Sequence, residues 1–262
     1  MYIDRYSIKA DARERMRSAA PLPYREGLLY VLVIGALTVL SVLILSSKIT
    51  PEATEEYLRL LMNGRYEEAV AYTDKLTPPL RDYLISFVLQ LFSGIVAAGF
   101  SIFCMNTLRG KEASLWNLLD GFARFFPLLL LVFMKNSLTW LWMQLLIVPG
   151  IIAFYRYRLA VYLMVDHPEL NAFQCIILSG RIMSGRKWEL FVLDLSFIGW
   201  WLLAFLPFLV FSMFPGVFPL ILGGIGTGAI LAWLYPYYEL SCVGFYEAVK
   251  TPIDIQPPDE EL

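Results

Sequence analysis

AFYRYRLAVYLMV, residues 153–165, places Arg156 and Arg158 inside a run that is otherwise apolar and aromatic. Its flanks show what kind of run it is. Residues 126–148 form a second apolar run, and LIVPG, residues 146–150, joins the two through Pro149-Gly150, a turn-forming pair. The stretch 126–165 therefore reads as a helical hairpin of two membrane spans. Within such a hairpin a fixed positive charge is costly, and it normally faces the bundle interior or a water-filled cavity.

The rest of the chain supports a membrane setting. Of its 262 residues 58% are hydrophobic and 15% aromatic, above the roughly half-apolar usage of a soluble domain, so the surplus apolar surface must face lipid. A span needs about 20 largely apolar residues. The candidates are 28–47, 83–107, 126–148, 150–165, 189–213 and 217–248, and Met134-Lys135-Asn136-Ser137 interrupts the third, leaving a break or re-entrant piece there as an alternative to a continuous span. The expected fold is an all-α integral membrane protein of about six transmembrane helices. Its organisation is a cytoplasmic N-terminal helix over 1–27, one transmembrane domain over 28–250 with an outer helical loop at 48–82, and a cytoplasmic tail over 251–262. The first ~27 residues are too charged for the apolar core of a secretory signal.

Basic residues flanking spans stay on the cytoplasmic side. Arg5, Lys9, Arg13, Arg15, Arg17, Arg25, then Arg109, Lys111, Arg124, then Arg181, Arg186, Lys187, and finally Lys250 fall on one side if the N-terminus is inside. The 48–82 loop mixes its bases with Glu52, Glu55, Glu56, Glu67, Glu68, Asp74 and Asp82. Both termini are expected inside. In that loop Thr50 can cap a helix with Pro51 in its first turn and Gly64 just beyond its end, and RYEEAVAYTDKL, residues 65–76, continues as a second helix. Such a hairpin could hold a protein partner or merely cap the bundle.

Two further segments have a shared design. SLWNLLDGFARFF, residues 114–126, repeats Leu115, Leu118, Leu119, Phe122 and Phe126 at helical spacing. NAFQCIILSGRIMSG, residues 171–185, opens with the capping-box pair Asn171 and Gln174 and puts Phe173, Ile176, Ile177 and Gly180 on one face. Both suit interfacial helices under the bundle. With IKADARERMRSAA, residues 8–20, as a third copy, the fold could be three repeats of interfacial helix, span and span.

In that order and spacing, LIVPGIIAFYRYRLAVYLMVDHPELNA, GRKWELFVLDLSFIGWW and LYPYYELSCVGFYEAV, together with RGKEASLWNLLDGF, resemble a bacterial multi-pass membrane family catalogued as domain of unknown function 975. The resemblance covers roughly residues 84–250. It implies the membrane architecture, a place in the bacterial cytoplasmic membrane, and a distant similarity to the non-catalytic membrane domain of some glycerophosphodiester phosphodiesterases. It implies no activity. At the start, Ala19-Ala20-Pro21 stands where the family usually has Gly-Asn-Trp, and the outer loop is longer than expected.

Motifs that would name a reaction are not found. The single histidine, His167, sits in DHPEL among helix-end residues, and sequence neighbours such as Asp166, His167 and Glu169 rarely converge on one metal. LGGIGTG, residues 222–228, lacks the Lys-Ser/Thr ending of a phosphate loop and lies in an apolar run, where small residues favour close helix packing. Cys104, Cys175 and Cys242 lie in apolar stretches and imply neither a disulfide nor zinc. A net charge of −2 with scattered bases gives no nucleic-acid stripe. No cofactor and no enzyme activity are expected.

The intramembrane charges are the candidate site. At ~1.5 Å per residue from each span's end, Arg158 lies ~12 Å deep and Arg156 ~15 Å, against ~10 Å for Asp194 and ~16 Å for Glu239 and Lys135. The levels suggest Arg158 with Asp194 and Arg156 with Glu239, leaving Lys135 as a surplus cation. Lys135, Arg156, Arg158, Asp194 and Glu239 thus form a candidate ligand-binding set for an anionic lipid head group or a small anion. The alternatives are helix-locking ion pairs within a scaffold and, least supported by the residue inventory, an intramembrane enzyme. Expected partners are membrane lipids, with a protein on the outer loop or interfacial helices as a further candidate.

Overall fold

The computed structural model describes residues 4–19, 22–46, 48–111, 113–114 and 116–250. The tail at 251–262, Leu115 and Ala20-Pro21 lie outside the described residues. Among those described, all regular structure is helical. The elements run α1 (Arg5–Ser18), α2 (Pro23–Leu45), α3 (Pro51–Met62), α4 (Tyr66–Leu76), α5 (Leu80–Leu108), α6 (Asn117–Ala123), α7 (Phe125–Leu145), α8 (Ile147–Arg156), α9 (Ala160–Asp166), α10 (Ala172–Ile182), α11 (Lys187–Leu195), α12 (Ile198–Ser212) and α13 (Val217–Val249). Five segments are long and apolar enough to cross a membrane: α2, α5, α7, Ile147–Asp166 and Phe218–Val249. A sixth is the pair α11 and α12, bent by 41°. In chain order α1, α6 and α10 each precede two of these candidate spans.

The compact unit that carries the charged residues takes in the described chain up to Leu32 and from Gly94 onward. Its helices meet through small residues. Gly99 lets the Leu118 carbonyl of α6 come so close to α5 that an added Cβ would sit 2.2 Å from it. Gly223 and Gly226 press α13 onto Pro207, Phe208 and Phe211 of α12, so part of LGGIGTG does serve helix packing.

The turn of the 126–165 hairpin falls at Leu146 (φ −159°, ψ 145°), not at Pro149-Gly150, which lie in the first turn of α8. Proline is tolerated there because the first-turn N–H groups have no helical acceptor. Gly150 is needed for a different reason: α7 runs so close that an added Cβ would lie 2.3 Å from Met143 Cγ. Of the alternatives at Met134–Ser137 the continuous span is found, since α7 runs unbroken from Phe125 to Leu145. The discontinuity comes instead between α8 and α9, at Tyr157–Leu159.

The short helices form with rotated faces. Asn171 and Gln174 make the full reciprocal capping box of α10, yet its buried residues are Ala172, Cys175, Ile176, Leu178, Ser179 and Ile182, while Phe173 is exposed. In α6 Leu118 and Gly121 are buried, whereas Leu119 is exposed, as is Phe126 at the start of α7. Helix α1 buries Ile8, Ala12 and Met16, one per turn.

The second compact unit spans Val33–Ser93. In it Thr50 caps α3 through Ala53 N, Pro51 stands in the first turn, and Gly64 turns the chain at φ 70°. Leu60 and Ala69 are the buried contacts of the α3–α4 hairpin.

Candidate functional site

Where α8 stops, the backbone turns through Tyr157–Leu159 before α9 begins, and Arg158 lies in that interruption. The break has a steric consequence. A helix of uniform rise would have carried Arg156 inward at the level of Glu239, but the interruption leaves Arg156 exposed and brings Arg158 into the bundle. Arg156 instead belongs to α10: its carbonyl accepts from Ser179 Oγ at 2.8 Å, and its guanidinium lies over the position a Cβ on Gly180 would take, 2.7 Å from Nε.

Arg158 is the hub. Its Nη2 donates to Tyr238 OH at 3.0 Å and to Cys242 Sγ at 3.7 Å, and lies 4.0 Å from Glu239 Oε2. Its guanidinium also stands over the rings of Phe154 and Tyr238, 5.7 and 5.6 Å from their centroids. Asp194, the expected partner of Arg158, is joined to it through a phenol: Tyr238 OH donates to Asp194 Oδ1 and Tyr155 OH to Oδ2, both at 3.0 Å. Glu239 is buried, and its Oε1 accepts from Ser101 Oγ of α5 at 2.7 Å and Tyr162 OH at 2.8 Å. Lys135 of α7 feels the charges of both Arg158 and Glu239, but its ammonium makes no hydrogen bond or ion pair among the described residues.

The predicted pairing is thus corrected. Arg158 faces Glu239 directly, Arg156 leaves the set, and Lys135, Arg158, Asp194 and Glu239 remain as two cations with two carboxylates. The expected surplus of positive charge disappears. What persists is a pair of cationic donors without acceptors. Three of the four carboxylate oxygens accept hydrogen bonds and the fourth lies nearest Arg158. The cations have donors left over, because Arg158 Nε is buried without a partner and Lys135 Nζ has no acceptor among the described residues.

Sequence reading missed Ser101, Tyr155 and Tyr162, although helical spacing could have found two of them. Tyr162 follows Arg158 by four residues and Tyr155 precedes it by three, the separations that share a helix face. A second network also went unnoticed at the ends of α5, α9 and α13. Arg109 forks onto Asp166 at 2.6 and 2.8 Å and reaches Glu247 at 2.6 Å, Lys250 meets the same two carboxylates at 3.0 and 2.7 Å, and Tyr246 OH donates to Asp166. Asp166 is therefore an ion-pair acceptor and not only a helix-end residue. Hydrogen bonds to Asp166 and Glu247 outweigh the opposing effect of burial and raise the Arg109 pKa above its ordinary value. His167 turns away from this cluster to Glu169, 3.0 Å distant.

A family model described as "Protein of unknown function (DUF975)" matches residues 143–252. The match takes in Arg158, Asp194 and Glu239 but does not extend to Lys135 or to RGKEASLWNLLDGF. No curated protein and no solved structure matches the chain.

Proposed function

We propose that this chain, whose residues 143–252 match the DUF975 family model, spans a bacterial cytoplasmic membrane with both termini inside and binds an anionic group within its charged bundle. The observation that carries the reading is a pair of unpartnered cationic donors. Arg158 Nε is buried without a partner, and Lys135 Nζ has no acceptor among the described residues. Unpartnered donors at low dielectric are costly. A ligand supplying acceptor oxygens, such as a phosphodiester or carboxylate, would relieve both. Aromatic walls from Phe154, Tyr155 and Tyr238 suit the apolar neighbourhood of such a group.

Thermal unfolding in neutral detergent tests this. Added phosphatidylglycerol should raise the Tm of the parent protein, whereas phosphatidylcholine should not, because it carries a compensating cation. Glycerol phosphate in place of phosphatidylglycerol distinguishes a small anion from a lipid head group. Lys135→Leu should fold with an unchanged Tm in detergent alone and lose the response. Equal stabilisation of parent and Lys135→Leu would mean that the anion acts elsewhere and that the network is structural.

A further inference from the structure

Helix α1 touches the break between α11 and α12. It buries Ile8, Ala12 and Met16, while Asp11, Arg13, Glu14 and Arg17 remain exposed. That footing is narrow. Its closest point is Gly244, where the absence of a side chain admits Ile8 to within 3.0 Å of an added Cβ. From this seat Lys9 reaches sideways: Nζ donates to Ser196 Oγ at 2.9 Å and stands 4.2 Å over the centre of the Phe197 ring. Ser196 and Phe197 are the two residues between α11 and α12, at the 41° bend.

The bend is wired to the charged site. Phe197 is fully buried and meets Tyr237 and Tyr238 edge to face, at centroid distances of 5.1 and 5.4 Å. Tyr238 is the phenol that donates to Asp194 and accepts from Arg158. Asp194 lies three residues before Phe197, whose amide donates to the Asp194 carbonyl at 2.9 Å. A second α1 contact, Arg13 Nη2 to Tyr237 OH at 3.3 Å, reaches the same aromatic group. Thus one narrow, highly charged helix contacts the two bend residues, and the bend positions a carboxylate and a tyrosine of the site.

We propose that α1 is a latch: seated on α13, it holds the α11–α12 bend through Lys9 and so keeps Asp194 and Tyr238 in their present arrangement, and its release loosens the bend and changes access to the anion site. This regulation rests on the anion-site reading above. The latch regulates binding without touching the ligand.

The experiment uses the full chain in detergent, with two variants and two readouts. The added Cβ of Gly244 lies 3.9 Å from Ile8 Cβ, within the span of a disulfide, so Ile8→Cys/Gly244→Cys should cross-link α1 in its seat. Lys9→Met removes the tether but keeps an apolar stem. The readouts are hydrogen exchange of the backbone over 194–198 and the dissociation rate of a fluorescent phosphatidylglycerol. Lys9→Met should speed exchange there about fivefold, the effect of one lost hydrogen bond, and speed lipid release. The oxidised cross-link should slow both, and dithiothreitol should restore parent values. Unchanged exchange and release in both Lys9→Met and the cross-linked protein would overturn the latch. If the parent binds no phosphatidylglycerol or glycerol phosphate while exchange over 194–198 still follows the state of α1, the anion-site reading fails and the mechanical coupling stands.

Discussion

Arg156 and Arg158 share a side-chain type and lie two positions apart, yet they face opposite environments. Arg158 is held among Tyr238, Cys242 and Glu239, so Arg158→Leu strands Glu239 and should destabilise by about 3–5 kcal/mol, the range for a broken buried pair. Arg158→Leu combined with Glu239→Leu should recover much of that loss. Arg156→Leu, at an exposed position, should change stability by less than about 1 kcal/mol. Chemical unfolding in detergent distinguishes these cases, and equal losses for the two arginines would contradict the placement of Arg156 outside the bundle. Glu26 in α2 is a sharper case, being fully buried with neither carboxylate oxygen hydrogen-bonded. An unpartnered buried carboxylate weakens a fold. Glu26→Gln should therefore be neutral or stabilising by up to about 1–2 kcal/mol in the same assay, and a marked loss would reveal a partner for Glu26.

At the scale of elements, close approach is set by glycines, and neighbouring glycines differ sharply. An added Cβ at Gly99 would lie 2.2 Å from the Leu118 carbonyl, whereas at Gly35 nothing lies within 4 Å. Gly99→Ala must push α6 off α5 and should cost about 1–3 kcal/mol. Gly35→Ala should be neutral or gain up to about 1 kcal/mol from helix propensity. Thermal scans of the two variants check this, and a tolerated Gly99→Ala would contradict the α5–α6 contact. Asn171 is the matching test of an element boundary: its reciprocal bonds with Gln174 close the start of α10, so Asn171→Ala should lower stability by about 1 kcal/mol.

For the whole molecule the proposal at stake is orientation, which rests on where Lys and Arg fall along the chain. Glu67 and Ser184 are both exposed, so cysteines at either site can react. In intact cells a membrane-impermeant thiol reagent should label Glu67→Cys and leave Ser184→Cys untouched until the membrane is opened. The reverse pattern would invert the orientation and place the α1 latch on the outer side.

Hydrophobic run length alone was enough to locate the candidate spans: residues 28–47, 83–107 and 217–248 became α2, α5 and α13 with only small shifts at their ends. The reason is physical, since each backbone group in a span must be satisfied within its own helix, and about 20 apolar residues are then needed whatever the neighbours do. Local chemistry was legible for the same reason, as in the caps at Thr50 and Asn171. Partnership among the charges was not. Counting rise per residue assumes unbroken helices, and the interruptions at Tyr157–Leu159 and Ser196–Phe197 rotate and displace everything beyond them. Which cation meets which carboxylate depends on those breaks, on glycine-controlled helix approach, and on phenols interposed between the charges. These are long-range contacts, and they form only when the helices have packed.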